Sequence, residues 1–242
     1  MSKEIIYGIN CVSEAIKNSN REIYRVIACK ENSERISTIL KNAAAAKIRI
    51  DFSERKILDK ICQSPHHQGI AAEVSHLKTY EIFEALALEK EAKKAMWLAA
   101  DSITDPANLG SMIRSAVCLG FTALVLPKNR TAGINSTVAK VSSGALEKIK
   151  IIEVSNLNSS ILELKEKGFW IYGADAKGEE ISQAQVAFPL LMIIGSEGDG
   201  MRLKTKEHCD KIISVNQKSD FDSLNASIAA AILMYQISLK NK

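Results

Sequence analysis

The sequence predicts an α/β protein made of a small N-terminal domain and a larger C-terminal one. Apolar, strand-like runs alternate with helix-like segments along most of the 242 residues, which indicates the class. In the second half these runs are almost continuously apolar, as strands buried on both faces of a parallel sheet are. The composition, 46% hydrophobic and 25% charged, is typical of a soluble globular chain with one large domain or two modest ones.

Residues 1–75 read as a small alternating α/β domain. Lys47–Phe52 alternates polar and apolar side chains with a period of two, as a half-exposed strand does. The predicted strands are Glu4–Ile6, Ile23–Ala28, Lys47–Phe52 and Gly69–Val74, and the helices between them are Cys11–Lys17, Glu34–Ala46 and Arg55–Cys62. Because these elements are short, we expect a small core.

A change of composition separates the two domains. The stretch Glu81–Lys94 is rich in Glu, Ala, Lys and Leu, which favours a charged helix. We therefore treat residues 76–94 as a linker.

Residues 95–242 have longer and more regular elements. The predicted strands are Met96–Ala100, Ala123–Leu126, Ile149–Val154, Trp170–Ala174 and Leu190–Gly195, and helices are expected at Leu109–Leu119, Asn135–Ser143 and Asn156–Lys167. This alternation predicts a mostly parallel sheet covered by helices on both faces. Ligands of open α/β sheets bind at the carboxyl ends of the strands, so polar loops there are candidates for chemistry.

The first such loop follows the strand Met96–Ala100 and opens a helix, and it reads Asp105-Pro-Ala-Asn-Leu-Gly-Ser-Met-Ile-Arg114-Ser-Ala. Pro106 sets the chain direction and Asn108 can cap the helix. Taken by itself, Arg114 is more typical of a structural salt bridge or a snorkelling side chain than of catalysis.

The second loop, Gly195-Ser-Glu-Gly-Asp-Gly-Met201, follows the strand Leu190–Gly195. Its glycines let exposed backbone amides face a ligand, although a plain turn would look the same. The loop is neither a G-x-G-x-x-G fingerprint nor a Walker A motif. Glu197 would repel an anion, but it suits a cationic or hydroxyl-bearing ligand.

The third loop, Asp222-Ser-Leu-Asn-Ala-Ser227, opens an apolar helix that runs to about Leu239. Asp222 or Ser223 is a suitable N-cap. A cap does not explain Asn225 and Ser227, which are mediocre helix formers placed in the first turn. Beside the free N–H groups of a helix N-terminus, such side chains can hold the polar edge of a ligand.

Together and in this order, the three loops resemble the motifs of the SpoU (TrmH-like) family of RNA ribose 2′-O-methyltransferases in the SPOUT superfamily. The resemblance covers essentially the whole chain. Further similarity at His67-Gln-Gly69, Pro127-Lys-Asn-Arg130 and Gly144-Ala-Leu-Glu147 is closest to RlmB-type members. Those members methylate a guanosine of 23S ribosomal RNA, and the resemblance implies the same S-adenosylmethionine-dependent reaction here.

The resemblance also implies a fold and a cofactor site. The family's catalytic domain, here 95–242, is a trefoil knot that works as a homodimer. The matching positions place backbone contacts to S-adenosylmethionine at Gly195, Val215 and Leu224. One departure stands nearby: Val215-Asn216-Gln217 replaces the family's usual Ile-Pro-Met, and Ser219 replaces a usual glycine. This departure leaves the affinity for the cofactor open.

The N-terminal domain is similar to the ribosomal-protein-like RNA-binding domain of the family. On this basis His66, His67 and Gln68 form an RNA-contact loop, with a simple turn as an equally weighted alternative. Arg130 is a candidate phosphate contact.

The resemblance assigns the catalytic roles as well. The family proposal makes the arginine that matches Arg114 a general base, yet a guanidinium stays protonated at ordinary pH. Binding a neighbouring phosphate and stabilising the developing alkoxide is an easier role. Asn108 and Asn225 are expected to orient the ribose and the arginine. Glu197 and Ser223 support the same pocket.

Bulk properties limit the remaining possibilities. The net charge of +4 permits nucleic-acid binding through a local patch but does not require it. No cysteine pair has a C-x-x-C spacing, so we expect reduced thiols and no metal site; the cysteines are Cys11, Cys29, Cys62, Cys118 and Cys209. No leader peptide and no apolar run of about 18 residues is apparent, so we expect a cytoplasmic protein without a membrane span.

Three alternatives remain open. Asn216 and Gln217 would suit a non-catalytic RNA-binding relative that has lost its cofactor pocket. A nucleotide-dependent oxidoreductase ranks far lower, because the first strand–helix turn of each domain lacks the glycine fingerprint. Methylation of transfer RNA in place of ribosomal RNA stays within the same enzyme class.

Overall fold

The structure is a computed structural model that describes residues 3–18, 20–31, 33–218 and 224–241. These residues form two compact units. The first comprises residues up to Lys78 together with Ile134–Lys148, and the second comprises Thr79–Gly133 and the residues from Ile149 onward. Since each unit carries its own sheet, we describe them one at a time.

The first unit is built on a mixed four-stranded sheet of order β1-β4-β2-β3. β2 and β3 pair in parallel, whereas β4 pairs antiparallel with β1 and with β2. The strands are β1 (Glu4–Tyr7), β2 (Ile23–Cys29), β3 (Arg49–Ser53) and β4 (Ile70–Val74), and the helices are α1 (Ile9–Lys17), α2 (Glu34–Ala45), α3 (Arg55–Cys62) and α6 (Ser136–Val141). The strands predicted for the N-terminal domain are thus all present.

The segment Ile134–Lys148 leaves the chain of the second unit and packs in the first. Asn20 Nδ2 donates to the Glu147 carbonyl at 2.6 Å, and Asn10 Nδ2 donates to Ser143 Oγ at 2.8 Å. Arg21 forms an ion pair with Glu147 at 3.1 Å, and both side chains are 1% exposed. Moving the segment away would leave each buried charge without its partner, so this contact favours the packing of the segment in the first unit.

The second unit is built on a six-stranded sheet of order β10-β8-β9-β5-β6-β7 in which every neighbouring pair is parallel. The strands are β5 (Met96–Asp101), β6 (Ala123–Pro127), β7 (Lys150–Val154), β8 (Trp170–Glu180), β9 (Leu190–Gly195) and β10 (Lys211–Ser214). The helices are α4 (Ile82–Ala87), α5 (Pro106–Cys118), α7 (Leu157–Glu166), α8 (Leu203–Glu207) and α9 (Ala226–Lys240). The predicted α/β class with a parallel sheet is confirmed.

The centre of this sheet is its most buried part. Every residue of β5 and β9 is buried, as their continuous apolar sequences predict. Trp97 packs on Phe169 with ring centroids 5.0 Å apart. The carboxyl ends of β5 and β9 are therefore held in place by a well-packed core.

The predicted helix over Glu81–Lys94 is wrong in its length. α4 ends at Ala87, and only a short 3₁₀ turn, Ala92–Lys94, follows. The side chain of Glu89, 4% exposed, turns inward and accepts hydrogen bonds from Trp97 Nε1 at 2.8 Å and from Thr122 Oγ1 at 2.7 Å. These contacts to the sheet outweigh the helix propensity of the segment.

In the described ranges, no helix is long and apolar enough to cross a membrane.

Candidate active site

The first motif begins α5, and its cap is Asp105. The Asp105 carboxylate accepts from the backbone N–H groups of Ala107 at 3.0 Å and Asn108 at 3.3 Å. The expectation that Asn108 caps this helix is therefore wrong. An acidic residue just before Pro106 already satisfies the free N–H groups of the first turn. The side chain of Asn108 is left to make contacts elsewhere in the unit.

Asn108, Glu197 and Asn225, which we call the amide cluster, join the three motifs at one point. Asn108 Nδ2 donates to Glu197 Oε1 at 2.8 Å, and Asn225 Nδ2 donates to Asn108 Oδ1 at 2.9 Å. Asn225 Nδ2 also contacts Glu197 Oε1, and that oxygen accepts from the Ala226 N–H at 3.3 Å. A carboxylate that accepts several donors at a helix N-terminus is electrostatically favoured.

Asn225 has a second role as the N-cap of α9. Its Oδ1 accepts from the backbone N–H groups of Ser227 at 3.0 Å and Ile228 at 3.3 Å. The prediction of Asp222 or Ser223 as the cap is wrong, because the helix begins at Ala226. Asp222 and Ser223 themselves lie outside the described residues, and so does the catalytic role predicted for Ser223.

A cavity of about 780 Å³ lies beside the amide cluster, at the carboxyl ends of the strands. Gly195, Val215 and Leu224, the positions expected to contact a cofactor, all line it, as does Glu197. Gln217, where the sequence departs from the family pattern, is part of the same wall. The volume lies within the range of roughly 300–1,000 Å³ that small-molecule sites occupy.

The loop from Gly195 to Met201, which we call the glycine loop, closes tightly on itself. Ser196 and Gly200 exchange two backbone hydrogen bonds, each 3.1 Å long. A Cβ atom at Gly195 would overlap the backbone of Gly200 and Met201. Glycine is therefore required at position 195 so that the loop can fold back on itself at the edge of the cavity.

An irregular part of β8 forms another wall that the sequence did not indicate. β10 pairs with β8 up to Ile212 opposite Gly173, and pairing resumes with Ile213 opposite Glu179. Residues 174–178 therefore bulge out, and Ala174, Asp175, Ala176 and Lys177 line the cavity. The predicted strand Trp170–Ala174 was too short because the bulge interrupts its apolar pattern.

The acidic residue of this bulge, Asp175, is paired. Lys206 Nζ lies 2.9 Å from Asp175 Oδ2, and the hydrogen bond from this ammonium holds the pKa of the Asp175 carboxyl below its usual value. Burial acts in the opposite direction on the nearby Cys209 thiol and raises its pKa to about 12. Cys209 is therefore an un-ionised thiol at neutral pH.

Arg114 is exposed on α5, beyond the first turn that carries Asn108. No hydrogen bond or ion pair joins its guanidinium to any other residue within the described ranges, so the structural salt bridge that was weighed for it is not seen there. α5 packs against α9, which brings the helix of Arg114 beside the helix that Asn225 caps. The guanidinium remains available for an external anion.

The loop His66–Gln68 in the first unit divides into inner and outer residues. His67 is fully buried, its Nδ1 accepts from the Gly69 N–H at 2.9 Å, and its Nε2 lies 2.9 Å from Asp59 Oδ1. Since Nδ1 accepts, Nε2 carries the proton and donates to Asp59. In place of the RNA contact expected for it, His67 holds the loop. His66 and Gln68 are exposed.

The other surface position predicted to bind RNA is Arg130, in the second unit. It is exposed after β6 and has a left-handed backbone with φ 65°. For metals, the described residues contain no group of three or more His, Cys, Asp or Glu side chains that could hold an ion.

Comparison with known protein families gives two matches that together span most of the chain. Residues 95–235 match the SpoU rRNA Methylase family. Residues 5–80 match a family described as RNA 2′-O ribose methyltransferase substrate binding. The first match covers most of the second unit together with the segment Ile134–Lys148 of the first, and the second match covers most of the rest of the first unit.

Individual relatives agree with these matches. The chain is 34% identical over 235 residues to the 23S rRNA (guanosine-2′-O-)-methyltransferase RlmB of Pectobacterium atrosepticum, which covers 96% of each protein. It is 39% identical over 238 residues to an uncharacterized tRNA/rRNA methyltransferase of Synechocystis, of which it spans 62%. Among solved structures, the SpoU methyltransferase AviRb of Streptomyces viridochromogenes in complex with AdoMet superimposes with a TM-score of 0.83 at 19% identity, covering 98% of this chain and 90% of that one.

Proposed function

The chain belongs to the SpoU rRNA methylase family, and from this membership we propose that it transfers a methyl group from S-adenosylmethionine to the ribose 2′-hydroxyl of a guanosine in 23S ribosomal RNA. The observation that carries the proposal is the amide cluster, because it joins all three motifs beside the cavity. The named substrate of the Pectobacterium relative supports guanosine and 23S ribosomal RNA.

The cavity fits S-adenosylmethionine in size and charge. Its volume of about 780 Å³ lies within the range of small-molecule sites, and Gly195 at its edge lets the glycine loop fold back, since a Cβ there would overlap the backbone of Gly200 and Met201. The lining includes the carboxylates of Asp175, Glu197 and Asp199, with Lys177 as the opposing charge. A wall with more acidic than basic groups suits a cofactor that carries a cationic sulfonium. We assign the cofactor's backbone contacts to Gly195, Val215 and Leu224.

Arg114 acts on the RNA. When bound, the cofactor supplies an electrophilic methyl group, and the protein has to align the 2′-oxygen and manage its proton. The proton of the 2′-hydroxyl leaves to water as the methyl group is transferred, because a guanidinium keeps its own protons at neutral pH and cannot accept it. Arg114 binds the adjacent phosphate with its two-pronged donor edge and stabilises negative charge developing on the 2′-oxygen.

Asn108, Glu197 and Asn225 keep the site in shape. Their amide and carboxylate groups are bonded to one another and to the start of α9, so they hold α5, the glycine loop and α9 in fixed relation. Preorganised groups of this kind lower the reorganisation needed in the transition state. Ser223 remains a predicted member of this set.

The first unit binds the RNA substrate. Its match to a substrate-binding family supports this role, and the exposed residues His66 and Gln68 offer hydrogen-bonding groups on one loop. In the second unit, Arg130 adds a phosphate contact. A ribosomal RNA substrate places the enzyme in the cytoplasm.

We also propose the family's trefoil knot and homodimer. The knot is supported by the chain after β10, because Val215 and Leu224 line the same cavity as the loop after β9. The dimer is supported by α9, where Ile228, Tyr235 and Leu239 are each about half exposed. These positions recur at helical spacing and form one apolar stripe that suits a second copy. Light scattering on a Tyr235→Glu variant should show a monomer, and an unchanged mass would rule this face out.

The function is tested by mapping methyl groups in cells. Total RNA from cells with and without the protein is labelled through S-adenosylmethionine, digested to nucleosides and assigned to RNA species. We expect 2′-O-methylguanosine to disappear from 23S ribosomal RNA alone. Loss from transfer RNA would move the enzyme to the alternative substrate, and no loss from any RNA would support the non-catalytic alternative.

A further inference from the structure

Asp101, the last residue of β5, is a fully buried carboxylate next to the cofactor cavity. It stands opposite Gly195 in the pairing of β5 with β9. Burying a charged group costs free energy unless it is paired and hydrogen-bonded. Its partners therefore indicate what the residue does.

Both oxygens of Asp101 bind the same residue, Arg202. Oδ1 accepts from Arg202 Nε at 2.7 Å, and Oδ2 accepts from the Arg202 backbone N–H at 3.0 Å. Ser102 Oγ lies 3.3 Å from Oδ1. Because one of the two bonds is to main chain, Asp101 sets the backbone position of residue 202 as well as its side chain.

Arg202 is the point at which the glycine loop ends. The loop leaves the sheet at Gly195, is closed at its base by the pairing of Ser196 with Gly200, and returns at Arg202. Its tip, 197–199, is exposed and lines the cavity. Asp101 thus fastens the returning end of the loop to the strand beside the one it left.

The same residue begins the approach to the first motif. Ser102 follows with a left-handed backbone, φ 65°, and the chain then reaches the cap Asp105 and Asn108. A non-glycine residue in this region is strained unless its surroundings hold it. Asp101 therefore precedes the segment that carries Asn108 and is bonded to the end of the loop that carries Glu197.

We propose that Asp101 is a positioning residue that holds the glycine loop in its cofactor-binding conformation through Arg202. Without the contacts between Asp101 and Arg202 the loop also populates open conformations. The apparent dissociation constant for S-adenosylmethionine then rises as the fraction of molecules with a closed loop falls. Saturating cofactor draws the loop closed again, so the turnover number changes little. The inference rests on cofactor binding by this family and holds for either RNA substrate.

The test compares three variants with the wild-type protein. Asp101→Asn keeps the shape but sets an amide donor against the guanidinium, and Arg202→Ala keeps the backbone bond and removes only the side chain. Glu89→Gln is the matched control, because Glu89 is a buried carboxylate in the same unit with three donors, near the amino end of β5. The cofactor dissociation constant is measured by calorimetry. Initial rates are measured with total RNA from cells that lack the protein.

We expect Asp101→Asn to raise the dissociation constant and the KM for S-adenosylmethionine by about tenfold or more, and Arg202→Ala by about threefold or more. The kcat at saturating cofactor and the affinity for RNA should stay within about twofold, and Glu89→Gln should bind the cofactor like wild type. If Glu89→Gln and Asp101→Asn weaken cofactor binding equally, the effect comes from a general loss of stability and the proposal is overturned. If Asp101→Asn does not fold, Arg202→Ala decides, and wild-type affinity in that variant overturns the proposal.

Discussion

Asn225 Nδ2 donates a hydrogen bond to Asn108 Oδ1 at 2.9 Å, although the two residues are 117 positions apart in the chain. Each also contacts Glu197, so one carboxylate joins the start of α5, the glycine loop and the start of α9. Residues that are spread over three motifs therefore form a single hydrogen-bonded group, the amide cluster.

Arg114→Lys should lower kcat by about 100-fold or more, because lysine keeps the charge but loses the planar, two-pronged donor edge. The affinity for S-adenosylmethionine should be unchanged, since Arg114 is not among the residues that line the cavity. Single-turnover methyl transfer together with calorimetry measures both quantities. Near wild-type turnover would exclude the orienting role and leave a simple charge requirement.

Asn225 has a capping role and a cluster role that two substitutions separate. Asn225→Ala should lower the free energy of unfolding by about 1 kcal/mol, because α9 loses its cap. Asn225→Ser restores a cap and most of this stability, but it cannot donate to Asn108 and Glu197 at once. We therefore expect both variants to lose methyl transfer. Recovery of activity in the serine variant, followed with urea unfolding as the stability measure, would reduce Asn225 to a cap.

The two histidines of the first unit should have separate roles, His67 in stability and His66 in RNA binding. His67→Ala removes a buried ring that bonds Gly69 and Asp59, so it should destabilise the unit by about 1–3 kcal/mol. His66→Ala should leave stability unchanged and weaken RNA binding, because His66 is exposed. Thermal unfolding and filter binding to 23S ribosomal RNA fragments compare the two. Equal RNA affinity in His66→Ala and wild type would remove this loop from the interface.

The contribution of Arg21 to the free energy of unfolding should increase as the pH rises. Burial raises the pKa of the Glu147 carboxyl above its ordinary value of 4.5, with the adjacent Arg21 opposing the shift. Because this pKa is raised in the folded state, the contribution of the Glu147 carboxyl to stability is fully present below pH 4.5. That contribution is lost as the pH rises through the folded-state pKa. In Arg21→Met the carboxylate has lost its main counter-charge.

We therefore expect Arg21→Met to cost little near pH 4.5 and roughly 3–5 kcal/mol at neutral pH, measured by urea unfolding. Lys17→Met is the control, because Lys17 pairs with Glu14 on the surface and such pairs contribute about 0–1 kcal/mol. A cost for Arg21→Met that is independent of pH would mean that the loss is one of packing alone.

Local signals in the sequence were sufficient to locate five of the six strands of the second unit's sheet and the glycine loop. The continuous apolar runs of β5 and β9, and the glycines that follow β9, identify a candidate ligand-binding edge of the sheet, and only the family resemblance indicated a cofactor there. The family resemblance then supplied Val215 and Leu224, which no local pattern singles out. The contacts proposed for these residues are made by backbone atoms, so their side chains carry little signal.

Features that depend on distant contacts could not be read in this way. The four-residue strand β10 and the bulge at 174–178 depend on Gly178 approaching the backbone of Ile212 and Ile213, where a Cβ would lie 2.7 Å away. The inward turn of Glu89 and the packing of Ile134–Lys148 in the first unit likewise depend on polar partners that lie far away in the chain or on other elements. No local pattern indicates the contact of Asp101, because its partner Arg202 lies 101 residues further on.

The most direct test of the account is methyl transfer by the purified protein. Unmodified 23S ribosomal RNA and bulk transfer RNA are each incubated with labelled S-adenosylmethionine and digested, and the nucleosides are identified by mass spectrometry. We predict 2′-O-methylguanosine from 23S ribosomal RNA with the wild-type protein and almost none with Arg114→Lys. A methyl group on a base, label in transfer RNA only, or equal product from the two proteins would contradict the account.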